Sequence, residues 1–203
     1  MKFGRVIDGV AGAGKTTLLK SFTHRDKATL VCKTRSALDS HRDSGFHTLM
    51  TMEAAGMSEI LTTNLVVDEA SMITNVELLS CVDAANMHVD MVGDSYQIGV
   101  KDMSNVLGNR TENSLLKQLK NESLTHTYRF GQPLVDTMLK QFMPGITCEE
   151  GNTTRITHAK ADDYEKVVAL CIEHGVDAIY TFMNADYLQL LSLVGDTISV
   201  SLA

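Results

Sequence analysis

Gly9-Val10-Ala11-Gly12-Ala13-Gly14-Lys15-Thr16 is the stretch that decides the fold. Glycines at these intervals let successive backbone N–H groups turn inward on an anion. Lys15 adds a cation directly after the last glycine, and Thr16 supplies a hydroxyl suited to Mg²⁺. An apolar, strand-like run precedes the stretch at residues 3–7, and a helix-like segment opens at Thr17. A glycine-rich turn ahead of an ordinary helix would have no use for a Lys-Thr pair at that point. The stretch therefore predicts a phosphate-binding loop, with Gly9, Gly12, Ala13, Gly14, Lys15, Thr16 and Thr17 around the phosphates and Thr16 on the metal.

Outward from the loop, β-rich runs recur at residues 3–7, 28–32, 65–67, 89–92, 123–127 and 178–182. Helix-like stretches lie at 17–22, 36–43, 75–84, 132–142, 162–174 and 185–194. This alternation predicts an α/β protein whose parallel sheet is covered by helices on both faces. Met143-Pro144-Gly145 opens a polar, turn-rich tract that runs to Thr154 and marks a domain boundary. The expected domains are 1–150, a complete sheet domain, and 151–203, a second domain begun and not finished after the strand-like run 197–200.

The 203 residues, 44% of them hydrophobic, suffice for one full α/β domain and a fragment of another. The net charge of −7 argues against a surface that binds nucleic acid uniformly. Residues 1–50 nevertheless hold nine Lys/Arg against four Asp/Glu, so basic character gathers around the loop and just after it. No apolar run approaches the roughly 20 residues that cross a bilayer, and no signal-peptide core precedes Gly9, so a cytosolic protein is expected. Cys32, Cys81, Cys148 and Cys171 are far apart, as suits reduced core thiols rather than disulfides or a zinc site. The eleven methionines fall largely in apolar-patterned segments and read as core filler. None of the seven histidines is at metal spacing from another, and only His126 is near predicted chemistry.

Three further segments carry that chemistry. Val66-Val67-Asp68-Glu69 is a strand ending in two acids. Beside a phosphate loop, Asp68 is assigned to the metal and Glu69 to the water that attacks the γ-phosphate. Val89-Asp90-Met91-Val92 runs into Gly93-Asp94-Ser95-Tyr96-Gln97, where Gln97 is placed to contact the γ-phosphate or the attacking water. In Thr127-Tyr128-Arg129, Arg129 is a candidate phosphate contact, and Tyr128 a candidate either for stacking on the base or for packing in the core.

In this order and spacing, residues 9–16, Asp68-Glu69, Gly93-Asp94-x-x-Gln97 and Thr127-Tyr128-Arg129 resemble motifs I, II, III and the Tyr-Arg motif of superfamily 1 helicases. The resemblance is nearest to the RNA-virus branch, the alphavirus-like replicative helicases and the triple-gene-block protein 1 movement proteins of plant viruses. It implies a RecA-like phosphate-loop NTPase using ATP or GTP with Mg²⁺, followed by the start of a second RecA-like domain. Cys32-Lys33-Thr34-Arg35 matches the position of motif Ia, which implies a backbone contact to single-stranded RNA by Lys33, Thr34 or Arg35. Other viral movement or replication proteins are implied as partners, and host cytoplasm as the location. Ser95 departs from the Asp-Pro-Leu-Gln form of motif III, a change expected to alter loop rigidity more than chemistry.

The family's later motifs are missing, so unwinding by this chain alone is not expected. The chain is either a piece of a longer protein or a naturally shortened relative that turns nucleotide over slowly. The movement-protein resemblance implies an alternative, a nucleotide-switched RNA-binding module active in movement or silencing suppression. A small-molecule kinase is disfavoured, because its lid needs several arginines and only Arg110, Arg129 and Arg155 follow Arg42.

Overall fold

The structure is a computed structural model that describes residues 2–58, 60, 62–82, 87–97, 115–152, 163–181, 184–194 and 198–202. Arg110 and Arg155, the helix start at 162, and the strand limits at 182 and 197 lie outside the described residues, whereas the helix expected over 75–84 stops at Cys81 because Val82 is extended. The chain divides into two compact units, Met1–Arg155 and Ile156–Ala203.

In the first unit, β1 (Lys2–Gly9), β2 (Ala28–Cys32), β3 (Thr48–Thr51), β4 (Asn64–Val67), β5 (His88–Gly93) and β6 (Glu122–Leu124) form one sheet. Its order is β3-β2-β4-β5-β1-β6, and every pairing is parallel. Both faces are buried, so the strands read as near-continuous apolar runs whose alternate residues serve different cores. Val6, Val31, Leu65, Val67, Val89 and Met91 pack on one face, whereas Ile7, Leu30, Cys32, Val66 and Val92 pack on the other. The helices covering these faces are short. They are α1 (Lys15–Lys20), α2 (Arg35–Asp39), α3 (Met52–Met57), α4 (Asn75–Cys81) and α5 (Leu115–Leu119).

Further sequence expectations change here. The run 123–127 is not one strand: β6 adds to the main sheet, then β7 (His126–Thr127) pairs with β8 (Thr147–Cys148) in a separate two-stranded sheet. The helix expected over 36–43 stops at Asp39, where Ser40 Oγ donates to the Ala37 carbonyl at 2.6 Å and a turn follows. The stretch expected as a helix over 132–142 is helical throughout, but built as α6 (Gln132–Leu134), a π-helical turn Val135–Leu139 and α7 (Lys140–Phe142).

β1 is irregular between Phe3 and Val6 because a side chain, not a strand, satisfies its backbone there. The buried Asp90 carboxylate accepts from Arg5 N–H at 2.7 Å, and a Cβ on Gly4 would meet Asp90 Oδ1 at 2.4 Å.

The second unit holds α8 (Tyr164–Glu173), β9 (Ala178–Thr181), α9 (Asn184–Val194) and β10 (Ser199–Leu202), with β9 and β10 parallel. Val168, Leu190, Val194 and Ile198 form its core.

Candidate active site

At the carboxyl edge of a parallel sheet the strand-to-helix turns converge, and ligands bind there. Here the turns after β1, β4 and β5 line a cleft of about 500 Å³ together with the Thr127–Arg129 turn. Gly12, Ala13, Gly14, Lys15, Thr16, Asp68, Glu69, Gln97, Tyr128 and Arg129 all border it. Gly9 stands behind the loop, where its carbonyl accepts from Lys15 Nζ at 2.7 Å. Thr17 borders a neighbouring, more apolar cleft of about 600 Å³, shared with Leu18, Leu124 and Tyr128.

The loop is held in shape from behind. Thr127 Oγ1 donates to the Ala11 carbonyl at 2.8 Å, and Tyr128 N–H donates to the Gly12 carbonyl at 3.0 Å. This bracing brings Arg129 so close that a Cβ on Gly12 would lie 2.4 Å from Arg129 Cβ; with φ at +77°, no other residue suits the position. Tyr128 is 61% exposed, which places its ring on the cleft rim and removes core packing as its role. His126 packs edge-on against that ring, with centroids 4.7 Å apart.

Charge is concentrated within the cleft. Lys15 Nζ also donates to the Val10 carbonyl at 3.1 Å and lies 3.8 Å from Asp94 Oδ2. Burial pulls its ammonium below the ordinary lysine value, against the opposing pull of Asp94 and Asp68. Burial pushes Asp94 up, partly offset by the Tyr96 N–H and Lys15. Burial pushes Glu69 up as well, with the Asp68 charge adding to it. Glu69 sits in the left-handed region at φ 53°, an unusual place for a residue with a side chain, and it directs the carboxylate to the cleft.

Ser95 has a role that its sequence position did not reveal. Its N–H donates to Asp8 Oδ1 at 2.9 Å and its hydroxyl to Asp8 Oδ2 at 2.7 Å, while Lys120 Nζ reaches Oδ2 at 3.0 Å. A proline at position 95 would have neither donor, so the departure from the family form is matched by a buried acid on β1.

His41 is the site residue that sequence reasoning missed. Although His126 was expected to be the histidine nearest the chemistry, His41 is fully buried with Nε2 2.8 Å from Asp68 Oδ2. Cys32 completes this corner: its ligand atom and those of His41 and Asp68 all lie within 4.8 Å of one another. Burial pushes the Cys32 thiol up to about 12, with Asp68 and Glu69 adding to the effect, so it stays protonated.

The donor set suits Mg²⁺. Thr16 and Asp68 offer hard oxygen ligands on one cleft, and Glu69 Oε2 and Asp94 Oδ2 are buried there without a hydrogen-bond partner among the described residues. Lys33, Thr34 and Arg35 lie off the cleft, after β2. Lys33 is ion-paired with Glu77, Thr34 Oγ1 caps α2 by accepting from Ala37 N–H at 3.2 Å, and Arg35 is exposed.

Residues 5–200 match the viral superfamily 1 RNA helicase core domain. The chain belongs to that family. Three viral helicase structures show the same fold at low identity. The PRRSV helicase aligns with 99% of the chain at TM-score 0.59 and 17% identity, over 51% of its own length. Arterivirus nonstructural protein 10, a helicase, aligns with 99% at TM-score 0.55 and 16% identity, over 59% of its length. The same arterivirus helicase in complex with DNA aligns with 90% at TM-score 0.54 and 18% identity, over 44% of its length. The chain thus spans about half the length of the viral helicases it matches. No curated protein matches it. Among the described residues no helix is long and apolar enough to cross a membrane.

Proposed function

We propose that this helicase-family chain binds a nucleoside triphosphate, ATP or GTP, with Mg²⁺ and hydrolyses its β–γ bond while engaged with single-stranded RNA. The observation that carries the reading is the convergence of Lys15, Thr16, Asp68, Glu69, Gln97 and Arg129 on one cleft from four separate turns.

Thr16 and Asp68 would hold Mg²⁺, which would neutralise phosphate charge. The backbone N–H groups of the loop, opening into α1, cradle the phosphates. Lys15 exchanges the carbonyls of Gly9 and Val10 for phosphate oxygens, a short move because its ammonium already rests on the loop. Glu69, on the wall of the cleft beside Asp68, is the base that takes a proton from the attacking water. Gln97 orients that water, and Arg129 adds a fixed planar cation to the developing charge. The base and ribose extend over Tyr128 toward the apolar cleft of Thr17 and Leu18.

Lys15→Ala tests the reading. It should abolish NTP turnover by the purified chain, and hydrolysis that survives it would rule the assignment out. For RNA, affinity measured against salt should fall log-linearly if Arg35 and its neighbours grip the backbone. No binding at low salt would remove RNA from the proposal.

A further inference from the structure

His41 has no part in the catalytic assignments above, yet it is fully buried and its hydrogen-bond partner is the Asp68 carboxylate. An ionised carboxylate can only accept, so the ring proton lies on Nε2 and is donated to Oδ2 at 2.8 Å. Oδ1 of the same carboxylate accepts the Glu69 N–H at 2.8 Å. Each carboxylate oxygen thus holds one hydrogen bond, and the residue still borders the cleft.

The other ring nitrogen, Nδ1, is buried and has no hydrogen-bond partner among the described residues. Burying an imidazole with one nitrogen unsatisfied costs on the order of 1–3 kcal/mol, so packing alone would favour an apolar residue here. Backbone bonds fix the ring's origin: His41 N–H donates to the Leu38 carbonyl at 2.9 Å, and Ser44 N–H donates to the His41 carbonyl at 2.9 Å. The segment that opens at Lys33 therefore ends on the metal-binding strand. In the Cys32–His41–Asp68 corner the His41–Asp68 hydrogen bond takes up the groups that could otherwise serve as metal ligands.

We propose that His41 is a positioning residue that holds Asp68 in the orientation in which it receives the nucleotide-bound divalent cation. This rests on the nucleotide-site reading above. Partners of ligating carboxylates commonly change metal affinity or activity by about 10–100-fold when removed.

The test is equilibrium binding of Mn²⁺, followed by its EPR signal, to the full chain with a non-hydrolysable ATP analogue. Three variants are compared with wild type. His41→Gln keeps an amide donor at the reach of Nε2, His41→Asn keeps one only at the shorter reach of Nδ1, and His41→Leu has none. Wild type and His41→Gln should bind Mn²⁺ within about 3-fold of each other, and His41→Asn and His41→Leu about 10-fold or more weaker. Metal-independent binding of the analogue should stay nearly constant across the set. Equal Mn²⁺ affinity in wild type and His41→Leu would overturn the role of His41. If His41→Leu does not fold, equal affinity of His41→Asn and His41→Gln would overturn it instead. A wild-type chain that binds no nucleotide would fell the parent reading, which His41 variants alone cannot do.

Discussion

Placing a single methyl group on Gly12 tests whether the Tyr-Arg turn really abuts the phosphate loop. Gly12 and Gly14 have nearly the same φ, +77° and +78°, so an alanine at either meets a left-handed penalty. That penalty is roughly 1–2 kcal/mol. They differ in surroundings. At Gly14 the nearest atom to a new Cβ is Tyr128 Cε2 at 4.0 Å, ordinary contact. At Gly12 the new atom would lie 2.4 Å from Arg129 Cβ and 2.8 Å from Thr127 Oγ1. The threonine cannot retreat without cost, because its hydroxyl holds the Ala11 carbonyl at 2.8 Å. Overpacking of this kind adds roughly 1–3 kcal/mol. Gly14→Ala should therefore destabilise by about 1–2 kcal/mol and Gly12→Ala by about 2–5 kcal/mol. In a chain of this size each kcal/mol moves the melting temperature by about 2–4 °C. Thermal or urea unfolding of the two variants side by side reads the difference. Equal losses would mean that Arg129 does not approach the loop, and its assignment to the phosphates would fall with that contact.

The Asp8 cluster gives a pH prediction. Burial pushes the Asp8 carboxyl up, but the Ser95 N–H and hydroxyl and Lys120 outweigh it and hold it below the ordinary 3.8. A depressed carboxyl stabilises the fold above its unfolded value and loses that contribution as pH falls through the folded one. Asp8→Asn should therefore cost about 1.5–3 kcal/mol at pH 7, with the gap to wild type closing in unfolding experiments below about pH 4. Ser95→Pro removes both Ser95 donors, so it should destabilise wild type more than an Asp8→Ala background, by a coupling of about 0.5–3 kcal/mol; additive losses would refute the contact. For RNA, Arg35→Ala should reduce the salt slope of binding by about one, whereas Lys33→Ala should do less because Glu77 already neutralises it. The opposite ranking in a salt titration would move the grip to Lys33.

What could be read in advance was what lies close along the chain. The phosphate loop, Asp68-Glu69 and Gly93-Asp94-x-x-Gln97 are each a few consecutive residues at the end of an apolar strand, and such strands are recognisable because both faces are buried. The order of the sheet then carries their ends to one edge with no further information. What escaped was decided by pairing. Thr48–Thr51 sets two adjacent apolar residues between threonines, shows no period-two alternation over its four positions, and becomes a strand because β2 is there to receive it. Residues 123–127 look uniform in period, yet the chain leaves β1 at Thr125 and turns to β8.

His41 escaped for the same reason, since Asp68 is 27 residues away and the two meet only because β4 lies beside β2. A signal for it nevertheless existed. Ala37 and Leu38 pack against the core, and His41 follows Leu38 by three positions, so it continues their buried face just beyond the end of α2. A polar side chain in that buried register must find a partner, because leaving it unpaired costs about 1–3 kcal/mol. Near the carboxyl edge of a parallel sheet the available partners are the acids at the strand tips. A buried polar residue just past the first turns after such a strand is therefore a candidate support for the site, even when nothing adjacent to it in sequence suggests chemistry.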